Sequence, residues 1–211
     1  MSKIQPLQHQ LTLMESESPI TIFNWKRMQG TTTGMFLKWL YSGQSSLMVD
    51  YRDLKFNQCC HFLKDNNVEF TVTGSKVGGH RRIVLDELGS LSIDFYSASG
   101  FMDVVMFLRP NHSLWLIDNV DEYFNWLEVK RILERLNHKQ QVVFSCDYGN
   151  LGWRHLEYYR GKIDTHPETG DLVAKDYSWD KVLIDWKNND LKRYYATKVG
   201  EEFYIKEVEI L

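Results

Sequence analysis

The sequence predicts a mixed α and β protein, α+β or α/β, and three observations carry that reading. From Val68 to Ile117, short apolar runs separated by turn residues alternate as strands do. Asn119 to Asn137 places apolar residues at helical spacing. From Gln141 onward, strand-like runs return to the C-terminus. The division that follows is a β-rich N-terminal module over residues 1–117 and a mixed sheet flanked by helices over 118–211. One compact unit is the alternative.

The totals bound the function. A chain of 211 residues can bury a substantial core. Its net charge of −3 gives no overall basic field, so a nucleic-acid surface must be local. Three cysteines, Cys59, Cys60 and Cys146, make a poor disulfide framework and fit a reducing compartment. Cys59, Cys60 and His61 lack zinc-ligand spacing. No run reaches the ~20 apolar residues of a membrane span, and the N-terminus lacks the apolar stretch of a signal peptide. The chain therefore reads as soluble, cytoplasmic and without a membrane partner.

In order, residues 1–19 read as a polar, loosely packed lead-in ending at Pro19. Ile20 to Trp25 reads as a strand, Gly30 to Gly34 as punctuation, and Met35 to Tyr41 as helix. Ser42 to Ser46 is a break, and Asp53 to Lys64 is helical by the spacing of Leu54, Cys59, Phe62 and Leu63. Strands follow at Val68–Thr73, Arg82–Leu85, Ser90–Tyr96, Phe101–Leu108 and Leu114–Ile117. Between the first two lies Gly74 to Arg82, whose Lys76, Arg81 and Arg82 form the most positive local patch and a candidate grip on nucleic-acid phosphates. No Gly-Lys-Ser/Thr follows it, so it is not a phosphate loop. The long helix Asn119–Asn137 opens on Asn119 and Glu122, spaced as a capping box. The later strands are Gln141–Cys146, Arg154–Ile163, Asp171–Tyr177, Lys181–Lys187 and Phe203–Leu211.

The pair Asp171–Tyr177 and Lys181–Lys187 reads as neighbouring strands joined by a tight turn, with chemistry at their ends. Two carboxylates on adjoining strands, Asp171 and Asp185, suit a shared Mg²⁺ ion, which prefers oxygen ligands. Lys187, two residues after Asp185, points to the same face of its strand. His166 and Glu168 are further loop candidates, and Cys146 lacks a nearby base to activate it.

Asp171 with Asp185-x-Lys187, in this order of elements, resembles the core of the PD-(D/E)xK nucleases. The resemblance covers the last 95 residues or so. It implies Mg²⁺-dependent hydrolysis of DNA phosphodiesters, with Asp171 and Asp185 as metal ligands and Lys187 positioning the water. Glu134 is the candidate fourth catalytic residue, with Glu128 and Glu157 as alternatives. Gly170 stands where the family's proline would be, and acid-x-lysine occurs elsewhere too, as at Asp53-x-Lys55. DNA is the partner on this reading.

The alternative is a non-enzymatic binding or inhibitor protein. Short strands with Trp179, Trp186, Tyr194, Tyr195 and Tyr204 suit a small SH3-like barrel over residues 155–211 that contacts protein or nucleic acid. In chain order Leu191–Val199 reads as a short amphipathic helix behind an Asn188-Asn189-Asp190 cap, and the two readings part over Asp190–Val199. Its Asn/Asp cap favours helix, while its tyrosines, threonine and valine favour strand.

Overall fold

The computed structural model describes residues 5–17, 20–25, 30–50, 52–75, 80–85, 91–108, 110–137, 139–147, 163–165, 172–174, 179–185, 190–199 and 202–208; beyond Ser145 only backbone pairing is described. In chain order these hold α1 (Gln8–Glu15), β1 (Ile20–Trp25), α2 (Thr31–Ser42), β2 (Ser46–Val49), α3 (Leu54–Asp65) and β3 (Thr71–Ser75). Next come β4 (His80–Leu85), β5 (Leu91–Tyr96), α4 (Ala98–Asp103), a π-helical turn (Val104–Leu108), β6 (Leu114–Ile117), α5 (Val120–Tyr123) and α6 (Trp126–Arg135). The remainder is strand: β7 (Gln141–Asp147), β8 (Ile163–Thr165), β9 (Leu172–Ala174), β10 (Trp179–Asp185), β11 (Asp190–Val199) and β12 (Glu202–Val208).

Among the described residues the strands form one mixed sheet in the order β3-β4-β5-β2-β6-β7-β1-β10-β11-β12-β9-β8. Its middle, from β5 to β10, is parallel. Both flanks are antiparallel. β1 sits between β7 and β10, so residues from both sides of position 117 build the same sheet.

Helices cover both faces, which makes this an α/β fold. On one face Leu13, Met35, Phe36, Trp39, Phe56 and Leu63 of α1 to α3 pack on Met48, Leu114, Leu116 and Val143. On the other, Phe101, Val105, Val129, Ile132 and Leu133 pack on Leu47, Val49, Trp115, Ile117 and Val142. Alternate residues of β2 and β6 thus feed opposite cores. That is why both strands are apolar at nearly every position: a parallel strand covered on two sides has no polar face.

Several expectations need correcting. Residues 8–15 form α1, anchored by fully buried Leu13, where a loose lead-in was expected. Ser46, expected in a break, opens β2. Phe101–Leu108 is helical because the Ser97 hydroxyl accepts from the Gly100 amide and starts α4. The long helix from Asn119 is two: Phe124 is extended, and the working capping box is Asn125 with Glu128 rather than Asn119 with Glu122. Asn119 instead adopts the left-handed conformation, at φ 55°.

The C-terminal corrections bear on function. Asp190–Val199 is a strand, β11, antiparallel to β10. β10 continues the large sheet through β1, so the tail is not a separate closed barrel. β9 and β10 are not neighbours, since β11 and β12 lie between them. Leu172 is laddered through Ile205 to Ala196, whereas Asp185 pairs with Asp190 at the other end of β11. No helix among the described residues is long and apolar enough to cross a membrane.

Candidate functional site at the carboxyl edge of the parallel strands

In open parallel sheets the crevice outside the carboxyl ends of the strands is where ligands bind. Here that edge gathers Gly30 and Thr32 after β1, Asp50 after β2, Asp118 after β6 and Ser145 on β7.

Gly30 adopts φ +74°, a conformation a side chain disfavours, and it caps α2. Gln10 of α1 fixes the turn: its Nε2 donates to the Gly30 carbonyl at 2.9 Å, and its Oε1 accepts from the Leu7 amide at 2.9 Å. The first turn of α2 carries no acidic residue, so its leading amides and dipole present a positive end.

α3 begins where Asp50 directs it. The Asp50 carboxylate accepts from the Lys55 amide at 2.7 Å and the Phe56 amide at 3.2 Å. Burial raises the Asp50 carboxyl above its ordinary value, against the lowering effect of those amides. The approach passes through Arg52 and Asp53, both left-handed at φ 51° and 63°. This turn sets Lys55 on the second position of α3 and sends its side chain into the sheet edge.

There Lys55 meets Asp118. Lys55 Nζ donates to Asp118 Oδ2 in a tight ion pair and to Thr32 Oγ1 at 2.9 Å. Thr32 Oγ1 donates to the same Asp118 Oδ2 at 2.5 Å. Asp118 Oδ1 accepts from Ser145 Oγ at 2.5 Å, and Ser145 Oγ in turn accepts from the Asn119 amide at 2.8 Å. The Lys55 and Asp118 side chains are 6% and 2% exposed, so this is a desolvated pair with every carboxylate oxygen engaged. Such a pair holds only when hydrogen bonds complete it, as they do here.

The placement matches a phosphate-loop site in outline and departs from it in substance. In such sites a strand leads through a glycine turn into a helix, whose Ser/Thr and a carboxylate from a second strand together hold Mg²⁺. Gly30, Thr32 and Asp118 fill those places. Trp25 and Thr31 stand where the pattern has its first glycine and its lysine. The two oxygens that would ligate the metal are both taken by the Lys55 ammonium. As arranged, the residues do not fit a divalent cation.

The residues singled out from sequence lie elsewhere. Asp171, Lys187, His166, Glu168, Glu157 and Lys76 are outside the described residues. Asp185 ends β10, level with Asp190, and Glu134 lies on α6. Arg82 grips Asp94 through two hydrogen bonds of 2.6 and 2.8 Å. Arg81 lies over the Phe56 ring at 4.5 Å and near Asp53 at 3.7 Å. Both guanidiniums are thus committed to carboxylates. Asp94 is fully buried and also meets His112 Nε2 at 2.5 Å and His80 Nε2 at 3.0 Å. Burial pushes its carboxyl up, but the bonds from Arg82, His112 and His80 outweigh this and hold it far below the carboxylate range. Among the described residues no cluster of His, Cys, Asp or Glu is placed to hold a metal ion.

Sequence reasoning passed over Thr32, Asp118 and Ser145. The signal was present: an apolar strand, a turn at Gly30-Thr31-Thr32 and a helix, with a second apolar strand ending at Asp118.

No protein-family model matches the chain, and no curated protein matches it in sequence. Solved structures do resemble it. The large terminase ATPase domain of Thermus phage P74-26 aligns at 13% identity and a TM-score of 0.53, covering 80% of this chain and 76% of that one. A mutant of the same domain aligns at 12% identity and 0.52, covering 74% and 70%. The large terminase of a second, thermophilic bacteriophage aligns at 17% identity and 0.55, covering 73% of this chain and 42% of that longer one. At these identities the likeness is one of fold: this chain shares the architecture of terminase ATPase domains.

Proposed function

We propose that this chain is a nucleotide-binding unit of a DNA-handling protein, and that it takes nucleotide phosphate at the Gly30–Thr32 turn beside Asp118. The observation that carries the reading is the 2.5 Å bond from Thr32 to Asp118. It joins the start of α2 to the end of β6 across β7, the relation a phosphate-loop site requires. The positive end of α2 supplies anion affinity. DNA as the polymer served rests on the fold shared with the terminase ATPase domains.

Metal-dependent DNA cleavage at Asp171 and Asp185 is a separate proposal and is not what this reading rests on. It needs both carboxylates on one ion. The strand that follows Asp171 and the strand that carries Asp185 are separated by β11 and β12.

The test is equilibrium binding of a fluorescent ATP analogue. The intact protein should bind it, and Thr32→Val should weaken binding at least tenfold while the circular dichroism spectrum stays unchanged. A folded wild-type protein that ignores millimolar analogue overturns the reading.

A further inference from the structure

We propose that Lys55 is a resident cation that replaces the divalent metal, so that the corner binds nucleotide phosphate without Mg²⁺. This deepens the nucleotide reading and rests on it. Mg²⁺ in such a site would sit about 2.1 Å from its oxygens. Those oxygens, Thr32 Oγ1 and Asp118 Oδ2, are instead both hydrogen-bonded by one ammonium. A metal and an ammonium cannot share that position, since two cations a few ångströms apart in a buried site repel strongly.

The geometry around Lys55 is built rather than incidental. Its backbone amide is fixed by Asp50, its side chain is 6% exposed, and its carboxylate partner is held from the other side by Ser145. An ammonium has three donors. Two go to Thr32 and Asp118, leaving one for a phosphate oxygen at the start of α2. Thr31 stands where a phosphate-loop lysine would be, so Lys55 brings to the corner the positive charge that this position lacks.

The test needs no nucleotide. Free Mn²⁺ is measured by electron paramagnetic resonance with wild-type protein, Lys55→Gln, Lys55→Arg and Asp118→Asn. The wild type and Lys55→Arg should bind Mn²⁺ no more tightly than Asp118→Asn, while Lys55→Gln, its carboxylate released, should gain at least tenfold in affinity. Tight Mn²⁺ binding by the wild type that Asp118→Asn abolishes would overturn the proposal, as would a folded Lys55→Gln protein with no gain. Should Lys55→Gln fail to fold, the wild-type and Asp118→Asn comparison still decides. Loss of ATP-analogue binding alone, with Mn²⁺ still excluded, would sink the nucleotide reading and the phosphate role of Lys55 with it, leaving only the exclusion of the metal by its ammonium.

Discussion

Lys55 and Asp118, 63 residues apart in sequence, form a buried ion pair at the point where α3 reaches the end of β6. Neither charge has solvent to fall back on, so the fold and the site depend on the same contact. Lys55→Met should therefore strand the carboxylate and destabilise the protein by about 3–5 kcal/mol. Adding Asp118→Leu should restore part of the loss. Urea denaturation of the two single variants and the double variant measures the coupling, and simple additivity would show that the pair is not a unit.

Thr32→Val removes the hydroxyl that links the start of α2 to Asp118. The stability loss should be about 1.5–3 kcal/mol, the range for a hydrogen bond to a charged group. Thr32→Ser, which keeps the hydroxyl, should hold most of it. Equal losses in the two variants would mean that the methyl, not the hydroxyl, matters.

Gly30→Ala should be destabilising by about 1–2 kcal/mol from its left-handed backbone. A further cost arises because the new Cβ would lie 2.8 Å from Gln10 Nε2. Gln10→Ala in the same chain should remove the second cost but not the first. Thermal melts of the four proteins separate them.

Stability should fall in acid through Asp94. Its carboxyl ionises more readily in the folded chain than in the unfolded one. The contribution is therefore full above about pH 4, the unfolded value, and is lost as pH drops below it. Asp94→Asn should be less stable at pH 7 and show a flatter loss between about pH 5 and pH 2. An unchanged acid slope in chemical denaturation at stepped pH would contradict this.

The α/β class was readable because β6 and β7 are short apolar runs and α3 has clear helical spacing, whereas the four-residue β2 directly follows turn residues and is not picked out. What the sequence hid was tertiary. Strand order depends on which edges meet, so Asp171–Tyr177 and Lys181–Lys187, close in sequence, looked paired although β11 and β12 intervene. The apolar run Phe101–Leu108 looked like a strand because the Ser97 cap that turns its start helical lies outside it. The site was obscured for a chemical reason. Its lysine comes from α3 rather than from the turn after β1, so no linear pattern contains it. In the linear sequence Asp53-x-Lys55 is one more acid-x-lysine.

The most direct test is calorimetric titration of ATP into the wild-type protein, once with Mg²⁺ and once with EDTA. Saturable binding with the same dissociation constant in both is the result expected if Lys55 stands in for the metal beside Thr32 and Asp118. Binding that appears only with Mg²⁺, or in neither titration, would contradict the account.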